Sequence, residues 1–145
     1  MVSEENVDLV LGLYPPPGED YVQLFGNDSL WTEQAEAMAP FLHQDFDCVQ
    51  HEFGGAKRYV GLDGLRAFLL DWMAPWATYV VELEEAIDLD DRVLLLNRDR
   101  GYREGSPLEV RGRIAALWTI RDGKIARLDA YTTQAEALKA VRLAE

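Results

Sequence analysis

The chain holds 145 residues, and 14 Lys and Arg against 26 Asp and Glu leave a formal charge of −12. Such a length makes a single domain over residues 1–145, burying roughly 70% of the surface exposed in the unfolded chain, enough for a core and a small pocket without disulfides or metals. The acidic balance excludes a phosphate-reading nucleic-acid surface and disfavours anionic membranes, while no apolar run approaches the roughly 20 residues of a spanning helix.

Ser3-Glu4-Glu5 carries acid where a secretory leader carries base, which points to a cytoplasmic protein. The same residues start a helix in which Val7, Val10, Leu11 and Tyr14 recur at helical spacing until Pro15-Pro16-Pro17-Gly18 stops it. Residues Pro15 to Asn27 read as a loop, either a lid over a pocket or a surface connection. Asp28 or Ser29 caps a second helix through Met38, with Trp31, Ala35 and Met38 inward, before Pro40 redirects the chain. A strand follows from Phe46 to Phe53, bounded by Gly54-Gly55. Its Cys48, the one cysteine, reads as a small buried apolar residue.

Gly61-Leu62-Asp63-Gly64 opens the most apolar helix, in which Leu65, Phe68, Leu69, Trp72, Met73 and Trp76 form a stripe that must lie on a sheet. Strands then run Thr78–Ile87, Arg92–Tyr102, Leu108–Ile120 and Lys124–Thr132. They are joined by the acidic turn Asp88-Leu89-Asp90-Asp91, by Gly105-Ser106-Pro107 and by the hairpin signal Asp122-Gly123. Thr133-Gln134-Ala135-Glu136 is a capping box for a terminal helix reaching about Leu143. Helices, a strand, a helix, an antiparallel meander and a last helix make an α+β order.

Four strings spread over nearly the whole chain carry a family resemblance: Ser3-Glu4-Glu5-Asn6-Val7, Tyr59-x-Gly61-x-x-Gly64, Asp91-Arg92-Val93, and Trp118-Thr119-Ile120-Arg121-Asp122-Gly123-Lys124-Ile125. Together they resemble the SnoaL-like branch of the nuclear-transport-factor-two-like superfamily. The resemblance implies a cone-shaped fold with a curved, mainly antiparallel sheet wrapped around N-terminal helices, and a homodimer formed through the outer sheet face. That fold hosts cyclases, isomerases, dehydratases, epoxide hydrolases and non-enzymatic binders, so function must be argued from the pocket.

Strand alternation selects the candidates. The expected hairpin registers put Glu82 opposite Arg98, and set Arg98, Arg100 and Tyr102 on one face with Ile114, Ala116 and Trp118, continued by Leu128 and Ala130. By comparison with the family this face is the concave one. The opposite face, with Arg111, Arg113, Arg127, Asp129 and Tyr131, reads as a solvated or dimer-facing ladder. The concave wall, with Phe68, Trp72 and Trp76 from the apolar helix, suits a flat or aromatic ligand, or is simply core. Arg98 and Arg100 either pair with Glu82 and Glu84 or hold a carboxylate, enolate or epoxide oxygen. His51, taken to point inward with Val49, is the candidate acid–base group or a satisfied structural histidine. Tyr59 either donates at the pocket rim or packs its turn.

The known chemistries of the resembling families do not carry over by position. Epoxide hydrolases of the fold look like Arg and Asp two apart plus a second Asp on the last strand, where this chain has Arg98, Arg100 and Ala130. SnoaL-type aldol cyclases use an acidic residue on the last strand, often with a histidine on the preceding one, and here Ala130 and Ala116 stand there. Ketosteroid isomerases need an Asp base and a Tyr/Asp oxyanion hole, and Asp99 reaches the inner face only if a bulge turns it. Two histidines without metal spacing and no glycine-rich phosphate loop imply neither metal nor cofactor. The expected partner is a small apolar or aromatic, possibly acidic, molecule. Three functions follow: a small-molecule binder, a cofactor-independent isomerase, cyclase or hydrolase using His51 and Arg98, or an interaction module whose cone is filled by Trp72, Trp76 and Trp118.

Overall fold

The computed structural model describes residues 2–52 and 55–144, without the side chains of residues 2–4, 143 and 144. Phe53, the expected end of the first strand, and Gly54 of its stop signal lie outside the described residues. Helix α1 spans Val2–Leu11. The segment expected to be a loop contains a short helix, α2 (Tyr21–Gly26). Its cause is Asp20, whose Oδ1 accepts the backbone N–H groups of both Val22 and Tyr79 at 3.0 Å, capping the helix and tying it to a distant strand. Helix α3 (Asp28–Met38) takes its cap from Asn27, one residue earlier than expected, through a 3.0 Å bond to the Leu30 N–H.

Strand β1 (Leu42–Glu52) begins four residues ahead of the expected start, and β2 (Gly55–Val60), which the sequence pattern did not reveal, pairs antiparallel with it. Most of β2 is exposed, so it has no alternation to read. Helix α4 (Gly61–Met73) ends before Pro75, and Trp76 opens strand β3 (Trp76–Asp88) instead of closing the helix. Strands β4 (Arg92–Arg103), β5 (Glu109–Arg121) and β6 (Lys124–Tyr131) complete the meander before helix α5 (Gln134–Ala144). Asp122 and Gly123 both take positive φ, 55° and 74°, as a two-residue hairpin turn requires. The Thr133 hydroxyl oxygen accepts the Glu136 N–H at 3.2 Å, one half of the expected capping box.

The six strands form one curved sheet in the order β2-β1-β6-β5-β4-β3, antiparallel except for the β1–β6 pair. The fold is therefore the α+β arrangement expected. Gly64 sets how closely α4 approaches: a Cβ there would lie 2.8 Å from the Tyr59 carbonyl carbon, so the helix seats directly on the turn that Tyr59 and Gly61 make. No described helix is long and apolar enough to cross a membrane.

Both faces of the sheet carry buried apolar clusters. On the inner face Phe46, Cys48, Leu95, Trp118 and Leu128 pack against Trp31, Leu65 and Phe68 from the helices. On the outer face Leu94, Leu96, Ala115, Leu117 and Tyr131 pack under Ala137 and Val141 of α5. The outer face, expected to be a solvated or dimer-facing ladder, is thus partly covered by the chain's own last helix. Such burial on both sides hides the alternation that fixes which residues point where.

The β3–β4 register is the expected one, with Glu82 opposite Arg98. The β4–β5 register is not. Arg98 pairs with Arg113, Asp99 with Gly112 and Arg100 with Arg111, one residue away from the expected alignment. A one-residue slip turns every side chain to the other face, so Arg98, Arg100 and Tyr102 sit outside, while Asn97 and Asp99 share the inner face with Ile114, Ala116 and Trp118.

Candidate functional site

Between α4 and the inner face of the sheet lies a cavity of about 110 Å³. Its sheet wall is Ile114, Ala116, Trp118, Leu128 and Ala130, and α4 contributes Leu65, Phe68, Leu69, Trp72 and Met73. Of the candidates read from sequence, Phe68, Trp72, Ile114, Ala116, Trp118, Leu128 and Ala130 line this space together. Pro15, Tyr21 and Phe25 close another side, so the segment between α1 and α3 forms part of the cavity wall. Pro15, Leu69, Trp72, Val81 and Ile114 are half-buried and lead from the cavity to solvent.

The remaining candidates lie elsewhere. Arg98 and Arg100 project from the outer face: Arg98 is 59% exposed and sits 3.9 Å from Glu84, and Arg100 donates to Glu82 at 3.1 Å. The cross-strand pairing with Glu82 and Glu84 that their neighbourhood suggested is what the structure contains. His51 is also outside, because its partner across the parallel ladder is Tyr131 while Cys48 and Gln50 take the inner positions. Its ring stacks on Tyr131 with centroids 4.4 Å apart, and Nε2 meets Asp129 Oδ1 at 2.8 Å. Asp129 is in turn gripped by Arg127 at 3.0 Å. Tyr59 packs its turn against Phe68 and donates to Asp71 at 2.7 Å, away from the cavity. Trp76 lies under Arg103 and beside Tyr79, outside the cavity lining.

Polar groups at the cavity come from residues that strand alternation did not single out. Tyr14 follows α1, and its Oη accepts the indole N–H of Trp118 at 3.1 Å. Asn97, 3% exposed, lines the same cavity. Burial pushes the Tyr14 hydroxyl up to about 12, against the opposing pull of Trp118 and Asn97, so it stays protonated at neutrality. Burial likewise holds Tyr21 and Tyr79 above the ordinary phenol range, Tyr79 further because the Asp99 carboxylate stands beside it.

Tyr79 closes a second chain: the Trp72 indole N–H donates to its oxygen at 2.9 Å, and the hydroxyl donates to Asp99 Oδ2 at 2.6 Å. Asp99 therefore does reach the inner face, through the register of the whole strand and not through a bulge. An inward Tyr–Asp pair exists that the sequence reading did not find. Its other oxygen, Oδ1, is buried with no partner among the described residues, and a Cβ on Gly112 would lie 2.7 Å from it. The signal for this face was Asn97, a polar residue ending the apolar run Val93-Leu94-Leu95-Leu96.

Residues 19–128 match the SnoaL-like domain. No curated protein matches the chain. Among solved structures, one described as a SnoaL-like polyketide cyclase from Jannaschia sp. CCS1 superposes with a TM-score of 0.66 at 19% identity, covering 97% of this chain and 93% of that one. TerC, co-crystallised with polyporic acid, gives 0.64 at 18% identity over 95% and 98%. A protein with a ketosteroid-isomerase-like fold from Catenulispora acidiphila DSM 44928, in complex with trimethylamine, gives 0.56 at 19% over 86% and 92%.

Proposed function

The chain belongs to the SnoaL-like domain family, and on that premise we propose that it binds a small, largely apolar molecule inside the cone. The observation that carries the reading is the cavity of about 110 Å³, walled by aliphatic and aromatic side chains with a polar spot at Tyr14 and Asn97. A few placed polar groups in an apolar pocket are the usual make-up of a small-molecule site. An engineered apolar cavity of about 150 Å³ takes up benzene, so one ring fills this space and its substituents extend toward the half-buried rim. TerC, of the same fold, was crystallised with polyporic acid, which supports the use of such a cone for a small organic molecule.

The reading as an interaction module with a closed cone is less favoured, because Trp72 and Trp118 line the space without filling it and Trp76 lies outside it. Turnover by His51 and Arg98 is less favoured too, since both side chains stand on the far side of the sheet. Titrating the protein with ethylbenzene, followed by the fluorescence of Trp72 and Trp118, tests the proposal. Saturable binding is expected, with Arg98→Ala unchanged and Ala130→Phe, which fills the cavity at a stability cost of about 1–3 kcal/mol, weakened by about tenfold or more. Binding lost in Arg98→Ala and kept in Ala130→Phe contradicts it.

A further inference from the structure

We infer that the cavity selects a neutral, ring-sized carbonyl compound whose oxygen is held by the Tyr14 hydroxyl. The inference rests on the ligand-binding reading above and names the ligand class for that same site.

The argument is a count of protons around one oxygen. An indole N–H can only donate, so the 3.1 Å contact from Trp118 occupies one acceptor direction of Tyr14 Oη. The buried Asn97 amide also stands at the cavity wall and pulls the Tyr14 hydroxyl downward. The Trp118 contact meets one lone-pair direction, and no acceptor for the hydroxyl hydrogen is found among the described residues. A donor left unmatched at the wall of an apolar cavity is costly, and the cavity is where its partner has to come from. The shift of Tyr14 to about 12 keeps that hydrogen in place at neutral pH.

The same count rules on the ligand. No lysine, arginine or histidine lines the cavity among the described residues, and Arg98 and Arg100 are turned away from it. A carboxylate there would be buried without a counter-charge. An alcohol could accept from Tyr14 but would bring a hydrogen of its own. The Tyr79 hydroxyl is poorly placed to receive it, being buried with Trp72 and Asp99 already on its oxygen, so that hydrogen would have to find the Asn97 amide as a second partner. A ketone or aldehyde accepts and brings nothing to satisfy. Tyr14 is then the residue that sets specificity, and Trp118 is a positioning residue that aims its proton.

Four one-ring compounds separate the possibilities: ethylbenzene, acetophenone, 1-phenylethanol and benzoate, each titrated at neutral pH into the wild type and Tyr14→Phe. The wild type is expected to bind acetophenone and ethylbenzene and to take neither benzoate nor, at comparable affinity, 1-phenylethanol. Tyr14→Phe is expected to lose about tenfold more affinity for acetophenone than for ethylbenzene, with its far-ultraviolet circular dichroism showing that the variant is folded. The infrared carbonyl stretch of acetophenone bound to the wild type is expected below its position in hydrocarbon solvent, a readout that stands even if the variant fails to fold. Ethylbenzene and acetophenone both failing to bind overturns the binding reading itself. An unshifted carbonyl stretch, an equal effect of Tyr14→Phe on both ligands, or benzoate binding more tightly than acetophenone overturns this inference and leaves the binding reading in place.

Discussion

Gly101→Ala is expected to lower the unfolding free energy by about 3 kcal/mol, the upper end of what overpacking costs. Gly101 faces inward opposite Tyr79, where the edge strand β3 crosses closest to β4. A methyl group there would overlap the Thr78 carbonyl oxygen, which is backbone and cannot swing aside, and would sit 3.0 Å from Cε3 of Trp76. The strand must shift to admit it, and Tyr79 and Val81 of the cavity wall shift with it. Urea unfolding of the two proteins measures the difference. A change within about 0.5 kcal/mol, the range of an ordinary surface substitution, would mean that β3 and β4 do not pair as described.

A second large effect is expected in alkali. Tyr14, Tyr21 and Tyr79 all have their hydroxyls pushed above the ordinary value of 10.0 by burial, Tyr14 to about 12. Below pH 10 these phenols are neutral in the folded and unfolded chains alike, and the shift has no effect. Above pH 10 the unfolded phenols lose protons while the folded ones keep them, so ionisation favours unfolding. The contribution of each group builds from pH 10 toward about 1.4 kcal/mol per pH unit, which for three groups comes to about 6 kcal/mol between pH 10 and 12. That rivals the whole stability of a typical domain. The tyrosinate absorbance of the buried three is expected to appear together with loss of the far-ultraviolet circular dichroism. Full tyrosinate absorbance near pH 10 with the fold retained would contradict the burial described for these side chains.

The sequence was legible wherever one local rule acted alone. Gly61 opened α4, Asp122-Gly123 placed a hairpin, and Thr133 capped α5, because each acts within a few residues. The apolar stripe of α4 found Phe68 and Trp72, and alternation found Ile114, Ala116, Trp118, Leu128 and Ala130. What misled was the facing of β1 and β4. Residues 46–50 and 93–97 are buried without a break, since the inner side packs on the helices and the outer on α5 or neighbouring strands. In such runs apolar alternation carries no phase, and the phase had to be inferred from the expected hairpin registers and the family's concave face. That inference set Arg98 inside in place of Asn97. Nor could sequence bring Tyr14 to Trp118, 104 positions apart, or Asp20 to Tyr79, 59 apart, because those meetings depend on how the N-terminal segments fold over the curved sheet.

The central claim is that the cone holds a ligand against Tyr14. A crystal structure of the protein grown with acetophenone tests it most directly. The ring is expected between Phe68 and Trp118, with the carbonyl oxygen within about 3 Å of Tyr14 Oη and Arg98 outside the sheet beside Glu84. A cone closed by its own side chains, or Arg98 inside it holding the ligand, would contradict the account.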